Sequence, residues 1–334
     1  MLSESNLFKY ATSEMSQDAF ICWLMSHALV GNKNADPILA KCAKEFLSKM
    51  VGKEVSGIIS IDKQYKNVDV LLKTEEFSII IEDKTETDTH DDQIRNYKRN
   101  LIEEGIPEEQ IKCVYYKIVE QPHKEPYVDC QFDRKAILEI LRKYKDCKNQ
   151  IFQDYLEWLE QIEEESCAFA NMSIVNWDAN QWRGFFTFLV SDCVVHVDAE
   201  NNKEWGWEYV NNPKNGFWGF WWNVIDGQKL IDMGIPKDVA NGMYLQIEGD
   251  SIALKISASD NIQYDLNRIY ELRWEIYNRC CSILSKYSVE FVRSEFRYGQ
   301  SMTIGRIDYD EINYKERIKI MENMLQKISE ESFL

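Results

Sequence analysis

The chain has no CxxC pair, no net positive charge and no apolar run of membrane-spanning length. Each absence removes a class of protein. The nine cysteines are scattered, with only Cys280 and Cys281 adjacent, so neither a zinc ribbon nor a disulfide framework is expected and a reduced, cytoplasmic setting fits. Cys22 and Cys113 sit in apolar patterns and read as small core residues. The opening Met1-Leu2-Ser3-Glu4 carries no basic n-region, which argues against a signal peptide, and no segment approaches the roughly 20 apolar residues that a transmembrane helix needs. The net charge of −17 counts against tight, sequence-independent binding of duplex phosphates, because an acidic surface repels nucleic acid at long range. It does not argue against catalysis, and it admits a protein partner or a homo-oligomer. No internal repeat or low-complexity segment stands out.

The length suits two domains of ordinary size, and the acid run Glu163-Glu164-Glu165 before Ser166 marks the expected boundary, giving domains 1–165 and 166–334. In the first half, helical spacing runs from Thr12 to Leu29, with Thr12 or Ser13 as N-cap, and again from Asp36 to Met50, with Gly52 as stop. A first strand is expected over Val55–Asp62. Two apolar runs rich in β-branched residues follow, Val68–Leu72 and Phe77–Ile81, and read as an antiparallel hairpin reversing near Glu75-Glu76. After a polar loop containing His90, a helix runs from about His90 to Glu104 and is ended by Gly105-Ile106-Pro107. Ile111–Val119 is a further strand. Strand, crossover helix and strand imply a parallel pair, hence a mixed sheet. Gln121–Asp129 reads as loop, and Lys135–Tyr144 and Gln150–Glu165 as helices.

Chemistry gathers at the open end of the hairpin. A tight reversal places Asp69 opposite Glu82, and alternation puts Glu82 and Lys84 on one face with Asp83 pointing away. Ile79-Ile80-Ile81 reads as a strand buried on both faces, so two carboxylates and an ammonium end a buried strand. Close carboxylates repel unless positive charge lies between them. A divalent cation with all-oxygen ligands, Mg²⁺ or Mn²⁺, supplies that charge; an ordinary ion pair with Lys84 at a solvated strand end explains the spacing as well.

These residues resemble the PD-(D/E)XK nuclease superfamily, over roughly residues 6 to 120. Asp69 matches the first acid, with Val68 where the family has proline. Glu82-Asp83-Lys84 matches the second acid and the lysine. Gln93-Ile94-Arg95-Asn96-Tyr97 matches the QxxxY element of RecB-like members, and Ala11–Asp18 resembles the helix that contributes an extra glutamate, here Glu14. The resemblance implies an α/β, restriction-endonuclease-like mixed sheet flanked by helices. It also implies Mg²⁺ (or Mn²⁺) held by Asp69, Glu82, the Asp83 carbonyl and Glu14, with Lys84 and Gln93 completing the catalytic set. Phosphodiester hydrolysis follows, in DNA rather than RNA, in defence, repair or a mobile element. Tyr97, Arg95 and Lys98 lie on or beside the helix face that looks toward such a site and are candidates for contacting nucleic acid; each is equally placed for helix packing or a solvated face. Asp18 is assigned to the helix surface, His27 to helix surface or packing, and His90 to a loop surface. Cluster-bearing members of the RecB-like group need four thiolates, a spacing absent here. An inactive scaffold of the same fold, binding a protein, nucleotide or nucleic acid, is the alternative.

The second half reads as an α+β domain of no assigned family. Helices are expected over Ala179–Val190, Leu266–Tyr287 and Ile312–Ser329, and strands over Trp205–Val210, Phe217–Val224, Met243–Glu248, Ser251–Ser257, Val289–Arg297 and Ser301–Ile307. Within Phe217–Trp222, alternation sends Trp218, Phe220 and Trp222 to one side, so one face is assigned to core and the other to an interface. Arg293, Arg297 and Arg306 could line a nucleic-acid path, or serve as ordinary surface charge.

Overall fold

A computed structural model describes residues 2–85, 92–197, 205–212, 216–232, 234–235, 242–257 and 265–330. His90 lies outside the described residues. The chain forms two compact units, residues 1–120 with 124–166, and residues 167–334 with 121–123.

The first unit begins with α1 (Glu14–Ser26) and α2 (Pro37–Val51). Helix α2 has strong local signals. The Asp36 carboxylate accepts the amides of Ile38 and Leu39, Pro37 occupies the first turn, and Gly52 adopts the left-handed C-terminal conformation at φ 76°. Ser13 holds the N-cap position of α1, but its hydroxyl pairs with Ser16 rather than with the backbone. The sheet follows as β1 (Ser60–Tyr65), β2 (Val68–Lys73), β3 (Ser78–Lys84), β4 (Ile111–Lys117) and β5 (Cys130–Phe132), in that spatial order. Strands β1, β2 and β3 are antiparallel, whereas β3–β4 and β4–β5 are parallel. Helix α3 (Gln93–Glu103) makes the crossover between β3 and β4 on one face of the sheet, while α1, α2, α4 (Arg134–Leu141) and α5 (Gln150–Cys167) contribute to the core on the other.

The first strand starts later than the sequence suggests. Ile58 is drawn to the end of α1 instead, where it accepts from the Val30 amide and donates to the Ala28 carbonyl. The β2–β3 turn is closed by Thr74, whose amide donates to the Phe77 carbonyl at 2.8 Å and whose hydroxyl accepts the amides of Glu76 and Phe77. Strand β5 falls just past the segment read as loop; it is three residues long, too short to carry a periodicity.

Strand β3 is buried along its whole length, Ser78 to Lys84. Ile79 and Ile81 enter the core with α1 and α2, and Ile80 packs with Ile94, Tyr97 and Leu101 of α3. A second buried charge cluster ties β4 to α4 and α5. Arg134 donates to the Ile118 carbonyl at 2.7 Å, to Glu163 at 2.8 Å and to Glu120, whose carboxylate also accepts from Ser166.

The second unit holds α6 (Ala179–Ser191), β6 (Trp205–Val210), β7 (Phe217–Asp226), α7 (Gly227–Asp232), β8 (Gly242–Glu248), β9 (Ser251–Ser257), α8 (Leu266–Leu284), β10 (Val292–Arg293), β11 (Ser301–Asp308) and α9 (Tyr314–Ile328). Its antiparallel sheet runs β10-β11-β9-β8-β7-β6. A capping box between Asp178 and Gln181 starts α6, and Asp265 caps α8. Helices α6, α8 and α9 share one aromatic-rich core with a single face of this sheet, including Phe220, Trp222, Leu245 and Leu254. Helix α7 was not expected. Only Val292 and Arg293 remain strand from the longer segment expected there, because the chain beyond Arg293 leaves the ladder.

Because both faces of β3 are covered, Ile79→Ala and Ile80→Ala should each destabilise the protein by about 2–5 kcal/mol in urea unfolding. A near-zero effect for either would mean that its face of the strand is not packed.

Candidate active site

The antiparallel ladder between β2 and β3 stops at Val70–Ile81, one residue short of the acids. Beyond it, Glu82, Asp83 and Lys84 pair only with Tyr115, Tyr116 and Lys117 of β4. The amide of Asp83 therefore has no β2 carbonyl to meet, and the Asp69 carboxylate takes its place, accepting that N–H at 3.0 Å. A short strand end thus brings the two acids together by a backbone hydrogen bond.

Alternation sorts the side chains. Glu82 and Lys84 share the α3 face with Ile80, and Asp83 shares the opposite face with Ile79 and Ile81. The Lys84 ammonium lies 2.5 Å from Glu82 Oε1 and 3.9 Å from Asp69 Oδ2. Glu14 reaches the same strand end from α1, where its Oε1 accepts the Thr85 amide at 3.4 Å. Gln93 donates to the Tyr97 hydroxyl at 2.6 Å, and Tyr97 feels the charges of Glu82, Asp69 and Lys84. Burial, with those acids, raises the Tyr97 phenol above its ordinary value. Arg95 pairs with Asp92 at 3.0 Å and lies over the Tyr127 ring, while Lys98 pairs with Glu108 at 2.9 Å.

Asp18 departs from the surface position expected of it. It is 1 % exposed, next to Asp83 across the α1–β3 packing, and 3.7 Å from Lys63 Nζ. Its helix spacing from Glu14 did not distinguish a solvated face from one laid against a strand end. Gln17, equally buried, donates to Asp83, and Gln64 bridges Asp18 and Asp69 at 3.5 and 3.3 Å. Lys117, 2 % exposed, stands beside Lys84 in the parallel register. The sequence alone does not assign any of these four residues to a site. A polar residue inside an apolar strand, as Lys117 is in Ile111–Val119, was the one available signal.

The electrostatics follow from acids outnumbering bases in a buried place. Burial pushes the Glu82 carboxyl up to about 7; the Asp69 charge adds to this and the Lys84 hydrogen bond opposes it. Burial, with the charges of Asp18, Asp69 and Glu14, holds Asp83 well above the carboxylate range, and Asp18 is raised by burial and by Asp69. Burial works against the Lys84 charge, but the Glu82 hydrogen bond and the acids around it prevail, so its pKa lies above the ordinary lysine value. Lys84 therefore stays an ammonium that donates hydrogen bonds.

The oxygen-only donor set suits a hard divalent cation. Glu82 Oε2 is buried there without a hydrogen-bond partner, as are Oδ2 of Asp83 and Oδ1 of Asp18 on the other face of the strand. Among the described residues no three acidic, histidine or cysteine side chains are drawn together tightly enough to form a ready metal cage. The Lys84 ammonium lies between Glu82 and Asp69 and supplies the positive charge there. Comparison with family models, curated proteins and solved structures gives no match.

The Glu82 shift carries a sign. Its folded value of about 7 exceeds its ordinary 4.5, so the folded protein holds an extra proton between those values. The resulting stabilisation is full below 4.5 and is lost as pH rises through 7. In chelator-treated protein, unfolding free energy should fall from pH 5 to pH 8 by on the order of 2–3 kcal/mol more in the wild type than in Glu82→Gln. Equal falls in the two proteins would show that Glu82 is not so perturbed.

Proposed function

We propose that the protein is a Mg²⁺- or Mn²⁺-dependent nuclease that hydrolyses phosphodiester bonds, with DNA favoured over RNA. The observation that carries this reading is the convergence of Asp69, Glu82 and Lys84 at the buried end of β3, with Glu14 entering from α1. Asp69 and Glu82 would hold the cation, with the Asp83 carbonyl and Glu14 as further oxygen donors. When bound, the cation supplies polarisation of the scissile phosphate and acidification of water.

The remaining work falls to the chain's own groups. Glu82 must give up the proton that burial favours, a loss that the positive charge of a bound cation would promote. Lys84 keeps its proton and offers N–H donors to the attacking water and to the phosphate oxygens on which charge builds. Glu14 anchors the strand end through the Thr85 amide. Gln93 holds the Tyr97 hydroxyl beside the acids, in position to orient water or phosphate. Arg95 and Lys98 would have to leave Asp92 and Glu108 to meet a nucleic-acid backbone, which limits their contribution.

A second reading has its own support. The Lys84–Glu82 pair and the net charge of −17 also suit an inactive scaffold that binds a protein or nucleotide. Among the described residues no helix is long and apolar enough to cross a membrane.

Cleavage of linear, circular and single-stranded DNA and of RNA, each with Mg²⁺, Mn²⁺ or EDTA, tests the main reading. Lys84→Ala should abolish cleavage while calorimetric metal binding stays near the wild-type level. Asp69→Asn should weaken metal binding about tenfold or more, with partial recovery of activity at high Mn²⁺. A purely structural ion pair predicts modest stability losses in both variants and no selective effect. Wild-type cleavage by Lys84→Ala would sink the mechanism.

A further inference from the structure

The sheet of the second unit has a face that the aromatic core does not use. On β8 and β9 the core takes Met243, Leu245, Ile247, Ile252, Leu254 and Ile256, so alternation turns Glu248 and Lys255 outward. This outer face forms part of a cleft of about 600 Å³, closed on one side by the segment Arg293–Arg297 and on the other by Val210 and Phe217. Three cationic side chains line it, Lys255, Arg297 and Arg306, against two acids, Glu248 and Glu295; Lys255 pairs with Glu248 at 2.5 Å, and Arg306 Nη1 lies 3.9 Å from the same carboxylate. In a chain of net charge −17 that is a local reversal of sign.

The cationic wall is built rather than incidental. Arg273, 1 % exposed, lies beneath it and donates to the carbonyls of Arg297 (2.9 Å) and Thr303. Its guanidinium also lies 3.9 Å from the Phe296 ring centroid. Tyr277 donates to the Phe291 carbonyl at 3.1 Å, holding the other end of the segment. Gly305 lets it lie close to the sheet, since a Cβ there would meet the Phe291 ring at 2.6 Å. Arg293, opposite Gly305 in the ladder, turns away from the cleft and lies over Trp274 and Phe296, at 4.8 and 5.4 Å from their ring centroids, which further fixes the segment. Arg306 is steered by Ser294, whose hydroxyl accepts its Nη2 at 3.1 Å.

We propose that this cleft binds the phosphate of a nucleotide. Guanidinium forks match phosphate oxygens and donate charge-assisted hydrogen bonds, and Ser301 and Thr303 add hydroxyl donors. The cleft is of small-ligand size, about 300–1,000 Å³ being usual, and is larger than a bare inorganic anion needs. Phe217 on the opposite wall offers an aromatic surface for a base. Glu295, exposed and only 3.6 Å from Arg297, provides an acceptor for sugar hydroxyls or base amines, which a bare polyphosphate would not use, whereas Glu248 is held by Lys255. The source is either a free nucleotide or one nucleotide unit of a strand. All these residues belong to the second unit, so the inference stands whether or not the Asp69–Glu82–Lys84 cluster cleaves nucleic acid.

Calorimetry on the full chain, in EDTA, decides it, with AMP, ATP, a short oligothymidylate and inorganic phosphate as probes. At least one nucleotide probe should bind more tightly than inorganic phosphate, and the identity of that probe separates free nucleotide from strand. Arg306→Gln should weaken that binding about tenfold or more. Arg297→Glu should weaken it as well; its side chain is 82 % exposed and pairs only loosely with Glu295, so this change spares the fold. Asp69→Asn should leave it unaltered. Absence of binding, binding of inorganic phosphate as tight as that of every nucleotide probe, or indifference to both arginine variants would overturn the proposal.

Discussion

The arrangement at the end of β3 depends on one hydrogen bond, from the Asp83 amide to the Asp69 carboxylate. It forms because the β2–β3 ladder ends one residue early and leaves an amide that must be satisfied. Satisfying it with a carboxylate draws negative charge to a place where Glu82 and Asp83 are already buried. Lys84 compensates part of that charge, and protonation of the raised carboxyls compensates more. The strand therefore ends in a group of acids whose neutrality depends on what else is present, be it a proton, an ammonium or a cation.

The Arg134 cluster of the same unit shows the contrast. There one guanidinium meets two carboxylates and a carbonyl, and Glu120 lies below its ordinary pKa, against burial, because of Arg134. Every charge has its partner, which is what a structural network requires. At the end of β3 the buried oxygens of Glu82, Asp83, Asp18 and Gln17 are only partly satisfied. Such local conflict in an otherwise well-packed unit is characteristic of sites that bind or react.

The second unit applies the same division differently. One face of its sheet is given to aromatic and aliphatic packing, and the other carries polar and charged groups along a cleft. The polar wall is held from beneath by a buried arginine that spends its own donors on backbone carbonyls. A sheet with one apolar and one polar face is the arrangement by which antiparallel strands support a surface site without losing their core.

Much of this was legible in the residues. The β-branched runs Val68–Leu72 and Phe77–Ile81, the caps Asp36 and Gly52, and the crossover helix before Ile111 determined the hairpin, α2 and the parallel β3–β4 pair, because these rest on local propensity and chain connectivity. Alternation determined that Glu82 and Lys84 share a face and that Asp83 does not. The late start of β1, the three-residue β5 and the brevity of β10 were set by neighbours far along the chain, which periodicity over a few residues cannot report. Burial of Asp18, Gln17 and Lys117 was likewise a tertiary decision. Their helix or strand was readable, but which face would meet the end of β3 depended on how α1 and β4 pack against it, and that packing alone raised the pKa of Asp18 and placed Lys117 beside Lys84.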